Sequence, residues 1–423
     1  MGSVSWWQAE VADESGSHRD YPPLREAIEA DVAIVGAGIT GVGLALWLAR
    51  AGIRVVVLEG REIAAGASGR NGGFLLGGTS ETYSATCARY GREMAQRIWR
   101  LSVGNHTIAE GLVRELADSG WTCAYARNGS LRIAATEEEL AEVQASAELL
   151  RADGWPVELV ERDSLPERLQ SAYLGASFHP SDGEIQPARF VHGLAGLAER
   201  NGARFYAQSP VTAVDRDNKG VTLHTFAGGR VQAPTLALAT NAWLPQLGVM
   251  VGADWLARVI TPTRGQMLVT APVAERLFPC PCYADEGYQY WRQLADGRMA
   301  VGGWRNHSIE TEYTGDETPG GAVQPLLDDF VHETLALPET QIERRWAGIM
   351  AFSTDGLPLV GALPDAPNMY IAGGYTGHGN AYALASAQIV AALIQGKSHP
   401  DADLFAPDRF AHSVNTGNTE GHP

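Results

Sequence analysis

Glycines at positions 36, 38 and 41 have the spacing of a turn that binds a dinucleotide. Residues 31–35, which are apolar after Asp31, predict a buried strand, and the residues after the glycines predict a helix. In that context Gly36 permits a tight turn, Gly38 lets backbone N–H groups approach a pyrophosphate, and Gly41 lets helix and strand pack closely. Glu59 follows Gly41 by 18 residues, after a second predicted strand, where an acid can bond ribose hydroxyls. The pattern predicts a dinucleotide site.

A second glycine-rich run, Gly66–Gly73, follows where an NAD-binding domain would continue into a third strand. A rigid polar loop at this point favours a longer cofactor that lies extended past it, as FAD does. Ser68 can bond a phosphate, while Arg70 and Asn71 can neutralise or bond the pyrophosphate and the ring edge. A purely structural loop is the alternative.

Several further motifs give the chain a family resemblance. It resembles the FAD-dependent family of D-amino-acid oxidase, glycine oxidase and sarcosine oxidase, and most nearly its γ-glutamylputrescine oxidoreductase-like branch. The resemblance covers about residues 5–410. Besides the two glycine-rich runs, it is carried by Trp6-Trp7, Tyr21–Leu24, Leu236–Trp243, Arg264–Gln266, Asp355–Gly361 and Ala372–Gly379.

The resemblance implies an α/β (α+β) fold, with a Rossmann-like FAD-binding domain plus a substrate domain built on a large antiparallel or mixed β-sheet with helices. Within the substrate domain, the patterns of residues 87–118 and 136–153 predict helices. The predicted parts are an irregular N-terminal arm (1–24), a discontinuous FAD-binding domain (25–85, 180–247 and 340–410), the substrate domain (86–179 and 248–339) and a flexible tail (411–423).

The resemblance also implies an extended FAD, with Val211 contacting its adenine side through the backbone and Thr240–Trp243 passing near it. Family members with covalently attached flavin carry a cysteine near Gly348, which this chain lacks, so the FAD is expected to be non-covalent. The predicted cofactor-binding residues are Gly36, Ala37, Gly38, Ile39, Thr40, Gly41, Glu59, Gly60, Arg61, Ala67, Ser68, Arg70, Asn71, Gly72, Gly73, Val211, Ala239, Thr240, Trp243, Gly348, Gly374, Gly377, His378, Gly379 and Asn380.

The C-terminal glycine-rich run, Gly373–Gly379, opens a predicted helix. A helix N-terminus aimed at the flavin would stabilise negative charge on the reduced ring. Gly377 and Gly379 would let the backbone reach the ring. His378 is predicted either to bond flavin or substrate or to be a core histidine.

The sequence departs from the resembling family at the substrate carboxylate. Amino-acid oxidases of the family place an arginine, which can pair with a carboxylate, where this chain has Met350. Arg292, Arg305 and Arg345 are candidate replacements, with a structural role as the alternative for each. Sarcosine oxidase-like members carry an oxygen-activating lysine near Ala300, and this chain has none there.

Aromatic residues crowd the region where a substrate cavity is expected. They can form an apolar cage for an alkyl or extended amine, or they can be ordinary core packing. Strand alternation predicts that Tyr288 and Tyr290 share one sheet face. The predicted catalytic or substrate-binding residues are Phe74, Tyr288, Tyr290, Arg292, Trp304, Arg305, Met350, Tyr375 and His378.

Composition excludes other classes of protein. The formal net charge of −17 disfavours nucleic acid and anionic membrane surfaces as partners. The four cysteines form neither a disulfide scaffold nor a metal-binding pattern, and no metal is predicted. No signal peptide or membrane span is evident, so a cytoplasmic location is expected.

These observations predict an FAD-dependent oxidoreductase that acts on the C–N bond of an amine or amino acid, including N-substituted glycines and other secondary amines. Hydride transfer to flavin N5 would give an imine that hydrolyses, with oxygen or another acceptor taking the electrons. The alternatives are a flavin hydroxylase and a non-catalytic or electron-passing flavoprotein subunit.

Overall fold

The structure is a computed structural model in which residues 3–13, 20–364 and 366–410 are described. The predicted flexible tail, residues 411–423, lies outside the described residues. The α-helices are α1 (Trp6–Asp13), α2 (Ile39–Arg50), α3 (Tyr83–Tyr90), α4 (Arg92–Asp118), α5 (Glu137–Ala152), α6 (Pro187–Arg200), α7 (Leu244–Met250), α8 (Leu256–Val259), α9 (Ile309–Glu312), α10 (Val323–Asp329) and α11 (Gly379–Ile394).

The strands form two large sheets and two smaller ones. They are β1 (Ala27–Glu29), β2 (Val32–Val35), β3 (Val55–Leu58), β4 (Phe74–Leu75), β5 (Ser130–Ala134), β6 (Glu158–Glu161), β7 (Gly175–His179), β8 (Gly183–Glu184), β9 (Arg204–Tyr206), β10 (Val211–Asp217), β11 (Gly220–Thr225), β12 (Arg230–Ala233), β13 (Thr235–Leu238), β14 (Ile260–Thr270), β15 (Cys282–Ala284), β16 (Gln289–Gln293), β17 (Met299–Gly303), β18 (Ile342–Ser353), β19 (Leu359–Ala362) and β20 (Met369–Gly373).

The first large sheet has six strands in the order β19-β20-β13-β2-β3-β9. All of its pairings are parallel except that of β19 with β20. Strands β2 and β3 are buried along their whole length, which explains their unbroken apolar sequences. Ile34 packs with α2, α6 and α11 on one face, while Ala33 and Val35 pack with β11, β12 and α7 on the other. The dinucleotide turn therefore leaves a sheet that is covered on both faces.

The second large sheet has eight strands in the order β18-β14-β17-β16-β15-β5-β7-β6 and is mixed, because only β15 and β5 pair in parallel. On one face, Trp291 packs with α10 and Phe330. Its neighbours Tyr290 and Arg292 point to the opposite face by strand alternation. The predicted α/β class with a large mixed second sheet is confirmed.

Strand β18 pairs across the predicted boundary between the FAD-binding and substrate domains. The division into these domains stays a prediction. The prediction assigned residues 340–410 to the FAD-binding segment, whereas β18 pairs with β14 from Ile260↔Ser353 to Thr270↔Ile342 in the eight-stranded sheet. In the described part of the chain, no helix is both long enough and apolar enough to cross a membrane.

Two local predictions were wrong. The N-terminal arm contains a helix, α1, because Trp7 and Val11 are buried against α6 and the second sheet, and this packing overrides a weak local signal. The predicted helix 87–118 is two helices, α3 and α4. Gly91 separates them with φ +84°, a value outside the helical range.

A buried asparagine on α4 fixes the start of α11. Asn105 Oδ1 accepts hydrogen bonds from the backbone N–H groups of Leu384 (2.9 Å) and Ala385 (3.0 Å). Its Nδ2 donates to the carbonyl oxygen of Asn380 at 2.7 Å. The side chain is 1% exposed. The first two turns of α11 are therefore held by a residue from another helix.

We expect Asn105→Ala to lower the free energy of unfolding by about 2–4 kcal/mol, because three buried hydrogen bonds lose their partner. Asn201→Ala, which removes one bond at the exposed end of α6, is the control and should cost less than about 1 kcal/mol. Urea titration measures both. Equal losses would contradict the role assigned to Asn105.

Candidate active site

The glycine-rich turn between β2 and α2 brings backbone segments into direct contact. Gly36 has φ +104°, and a Cβ there would lie 2.7 Å from the carbonyl oxygen of Ala239. A Cβ on Gly41 would overlap the carbonyl oxygen of Gly36. The N–H of Ile39 in the first turn of α2 donates to Ser68 Oγ at 3.0 Å. The turn therefore presents backbone and the positive end of a helix to the space above it.

Glu59 stands at the end of β3 and connects two neighbouring loops. Its Oε2 accepts from the N–H of Ala37 at 2.8 Å, and its Oε1 accepts from the N–H of Arg61 at 2.9 Å. Burial raises the pKa of Glu59, and these two backbone bonds oppose that rise. Each oxygen keeps a further lone pair, which fits the predicted ribose contact.

The loop Gly66–Gly73 is folded by its own asparagine. Asn71 Nδ2 donates to the carbonyl oxygens of Ala67 (2.9 Å) and Ser68 (3.0 Å), and Oδ1 accepts from the N–H of Gly73 at 2.7 Å. The same Oδ1 accepts from Asn380 Nδ2 at the start of α11, at 3.0 Å. The Asn71 side chain, which was predicted to contact the cofactor, thus connects the loop Gly66–Gly73 to the end of the C-terminal glycine-rich run.

The N-terminal arm holds this loop in place through hydrogen bonds to backbone carbonyl oxygens. Trp7 Nε1 donates to the carbonyl oxygen of Asn71 at 2.7 Å, and Ser5 Oγ donates to that of Gly69 at 2.5 Å. Gln8 Nε2 donates to the carbonyl oxygen of Ala64 at 3.2 Å. Helix α1 therefore supports the loop that the sequence assigns to the cofactor.

Two arginines that were predicted to bind the cofactor share one carboxylate. Glu317 Oε2 lies 2.6 Å from Arg61 Nη1 and 3.4 Å from Arg70 Nη2. Arg70 also donates to the carbonyl oxygens of Ala65 (2.7 Å) and Ala347 (2.8 Å). Burial lowers the pKa of Arg70. The charge of these arginines is thus partly compensated before any phosphate is present.

These groups line one cavity of about 780 Å³, within the usual size range of a cofactor site. It runs from Val211 and Trp243, past the dinucleotide turn, to the start of α11. Thr240 lines it, and the Oγ1 of Thr240 is buried without a hydrogen-bond partner in the described part of the chain. The unused hydroxyl and the glycine turn fit a bound dinucleotide.

We call the part of the cavity at the α11 end the aromatic chamber. Phe74 and Tyr290 meet edge to face, with ring centroids 6.1 Å apart, and burial raises the pKa of Tyr290 to about 12. Burial, followed by the positive charges of two arginines, lowers the pKa of His378 to about 4. The chamber is lined by Phe74, Tyr283, Tyr290, Arg305, Met350, Phe352, Tyr375 and His378.

Three of the predicted catalytic residues lie outside the lining of the cavity. Arg292 stacks on the ring of Trp7 at 4.7 Å and pairs with Glu184 at 3.3 Å, so its charge is already used. Trp304 packs on Phe330. Tyr288 lies beneath the Arg305 guanidinium. The other predicted catalytic residues line the chamber, namely Phe74, Tyr290, Arg305, Met350, Tyr375 and His378.

Four of the predicted cofactor residues, Ala37, Gly41, Gly73 and Gly374, also lie outside the lining and shape the backbone around it. The remaining predicted cofactor residues line the cavity, namely Gly36, Gly38, Ile39, Thr40, Glu59, Gly60, Arg61, Ala67, Ser68, Arg70, Asn71, Gly72, Val211, Ala239, Thr240, Trp243, Gly348, Gly377, His378, Gly379 and Asn380.

The sequence reasoning missed several lining residues. Phe352 lies two positions after Met350 on β18, so strand alternation could have found it. Tyr283 is the cross-strand partner of Tyr290, a pairing that needs the sheet register. Glu317 gives no local signal, because it reaches the cavity from a loop more than two hundred residues away from Arg61.

Comparison with known proteins agrees with this geometry. The sequence model of the family described as FAD dependent oxidoreductase matches residues 31–393. Gamma-glutamylputrescine oxidoreductase of Escherichia coli K12 is 31% identical over 411 residues, covering 95% of this chain and 90% of the relative. Glycine oxidase of Geobacillus kaustophilus is 28% identical over 374 residues, covering 87% and 93%.

The solved structures give the same fold. The crystal structure of glycine oxidase from Geobacillus kaustophilus matches with a TM-score of 0.78 at 23% identity, covering 89% of this chain and 98% of that one. The chain therefore belongs to the family of FAD-dependent oxidoreductases that contains D-amino-acid oxidase-like enzymes. The predicted family and FAD dependence are confirmed.

We expect Gly38→Val to weaken FAD binding while leaving the fold intact. A Cβ at Gly38 would lie 2.9 Å from Ser68 Oγ, and the two methyl groups would enter the cavity. Overpacking of this kind costs about 1–3 kcal/mol, or about 5- to 150-fold in affinity. Titration of the apoprotein with FAD measures the change. Gly111→Val, at an exposed helix position with no atom within 4 Å of a Cβ, is the control; unchanged affinity in Gly38→Val would refute the phosphate assignment.

Proposed function

We propose that the protein oxidises the C–N bond of an amine or amino acid, holds FAD non-covalently and passes the electrons to molecular oxygen. The observation that carries this proposal is the aromatic chamber at the end of the FAD cavity, beside the start of α11. The two relatives above support it, since the names γ-glutamylputrescine oxidoreductase and glycine oxidase both refer to compounds that contain an amine.

The chamber favours an uncharged amine. Hydride can leave the carbon beside an amine nitrogen only when the nitrogen lone pair is free. The Arg305 guanidinium and the positive end of α11 lower the pKa of an amine bound between them. His378, with its pKa lowered to about 4, is neutral at physiological pH and adds no positive charge.

When bound, FAD supplies the acceptor for the hydride that leaves the carbon beside the nitrogen. The chain contributes position and environment. Phe74 and Tyr290 keep water from one side of the chamber, and Met350 and Phe352 give it an apolar floor. The start of α11 presents positive potential towards the place where negative charge collects. The imine product needs only water to become a carbonyl compound, with release of ammonia from a primary amine or of a smaller amine from a secondary one.

Non-covalent binding is supported by the cysteines, since none of Cys87, Cys123, Cys280 and Cys282 lines the cavity. Neither lysine of the chain, Lys219 or Lys397, lines it either. Positive charge for a reaction with oxygen must therefore come from an arginine, from the helix end or from the bound amine.

Anaerobic mixing of the purified enzyme with a panel of primary and secondary amines tests the proposal. We expect at least one amine to bleach the visible flavin absorbance, and admission of air to restore it with one hydrogen peroxide for each amine oxidised. Free FAD with the same amines is the control. Failure of every amine to bleach the flavin would refute the proposed reaction, while recovery only with an artificial acceptor would refute oxygen as the acceptor.

A further inference from the structure

Glu317 lies at the wall of the FAD cavity with one carboxylate oxygen unused. The residue is 8% exposed and lines the cavity beside Arg61 and Arg70. Its Oε2 faces both arginines, at 2.6 and 3.4 Å. Its Oε1 is buried and has no hydrogen-bond partner among the described residues. Because an unpartnered buried carboxylate oxygen is costly, this atom requires a donor that the described chain does not supply.

Glu317 belongs to the loop between α9 and α10, residues 313–322, which we call the α9–α10 loop. Gly315, Asp316 and Thr318 of this loop also line the cavity. Asp316 Oδ1 accepts hydrogen bonds from the N–H (3.0 Å) and the hydroxyl (2.7 Å) of Thr318. Ser3 Oγ of the N-terminal arm donates to the carbonyl oxygen of Glu317 at 3.0 Å. The loop therefore forms part of the cavity wall, and Glu317 is fixed within it.

Two side chains of strand β14 hold the α9–α10 loop at its ends. Arg264 lies 2.8 Å from a carboxylate oxygen of Glu312 and donates to the carbonyl oxygen of Thr318 at 3.0 Å. Gln266 Nε2 donates to the carbonyl oxygen of Gly320 at 3.1 Å, and Gln266 Oε1 accepts from the N–H of Gly320 at 2.8 Å. Both Gln266 and Glu312 are buried. Arg264–Gln266, one of the motifs of the family resemblance, thus fixes the loop that carries Glu317.

The same network accounts for Arg345, a candidate for binding a substrate carboxylate. Arg345 lies outside the lining of the cavity. Its Nη1 donates to Gln324 Oε1 at 2.9 Å, and its Nη2 lies 2.7 Å from a carboxylate oxygen of Asp328. Gln324 Nε2 in turn donates to Gln266 Oε1 at 2.9 Å. Arg345 therefore has its charge compensated and stabilises the packing of α10 beside β14.

The place of Glu317 in the cavity is set by its two arginines. Arg70 belongs to the loop Gly66–Gly73, and Arg61 Nη2 would lie 3.7 Å from a Cβ on Gly66 of the same loop. Ser68 of that loop accepts from the first turn of α2. Glu317 therefore lies beside the loop that adjoins the dinucleotide turn, where the pyrophosphate of FAD is expected.

The chemistry of a carboxylate restricts what Oε1 can bind there. An ionised carboxylate only accepts hydrogen bonds, and the oxygens of a pyrophosphate are likewise acceptors with negative charge. FAD carries hydroxyl groups on both sides of its pyrophosphate, on the ribityl chain and on the ribose, and a hydroxyl can donate. Among the groups that flank the pyrophosphate, the hydroxyls are therefore the ones that fit Oε1.

We propose that Glu317 binds FAD, its Oε1 accepting a hydrogen bond from a ribityl or ribose hydroxyl while its Oε2 stays on Arg61 and Arg70. The α9–α10 loop thereby attaches the cofactor to the eight-stranded sheet, outside the glycine-rich runs. The inference concerns how FAD is held and not which bond is oxidised, and it rests on the proposed function only for the non-covalent FAD. Failure of every amine to bleach the flavin would leave it unaffected.

Titration of the apoprotein with FAD tests the inference in Glu317→Gln, which keeps the size of the side chain and removes its charge. We expect the dissociation constant to rise at least about fivefold, because a charged acceptor is replaced by a neutral one. If Glu317 only compensated the arginines, loss of its charge would leave more positive potential for the pyrophosphate and lower the dissociation constant. An unchanged or lower dissociation constant overturns the inference.

Glu310→Gln is the matched control, because it makes the same change of charge at an exposed position of α9 outside the lining of the cavity. It should leave the dissociation constant of FAD unchanged. A rise equal to that of Glu317→Gln would show a general effect of charge and would overturn the inference.

FAD analogues that each lack one hydroxyl of the ribityl chain or of the ribose identify the donor. We expect one analogue to bind the unaltered apoprotein at least about tenfold more weakly than FAD, and to lose less affinity with Glu317→Gln, because the two partners of one contact are not additive. The missing hydroxyl of that analogue distinguishes ribityl from ribose. If every analogue loses the same factor with both proteins, or none binds the unaltered apoprotein more weakly than FAD, Glu317 does not bind a hydroxyl of FAD.

Discussion

The site depends on a close approach between two stretches of backbone. The first turn of α2 lies against the end of β2 with no side chain between them, because a Cβ on Gly41 would overlap the carbonyl oxygen of Gly36. Ala239, which directly follows the neighbouring strand β13, lies against both of these glycines. Three segments therefore meet at one point, and the N–H groups of α2 face the cavity. The next loop is attached there through Ser68 and Ile39.

Segments that are distant in the sequence stabilise the loop that lies beside this turn. The loop Gly66–Gly73 is held by the arm through Trp7 and by α11 through Asn380, so both ends of the described chain act on one loop. Glu317, on the loop between α9 and α10, reaches Arg61 and Arg70. Against this pattern of compensated charge, Arg305 stands out as a chamber arginine whose Nε is buried without a hydrogen-bond partner among the described residues.

The sequence predicted the parts of this account that depend on local patterns. The glycine spacing, Glu59 and the buried strands can be recognised in the sequence without knowledge of the fold. It could not separate Arg292 from Arg305, since each lies on or just after a strand of one sheet, and only the packing shows that Glu184 neutralises the first. Glu317 was missed for the same reason: ion pairs between distant segments leave no mark on a single sequence.

A crystal structure of the FAD-loaded enzyme tests the central claim most directly. The account predicts FAD extended along the cavity, with its pyrophosphate at the turn of residues 36–41. A pyrophosphate bound away from this turn would contradict it.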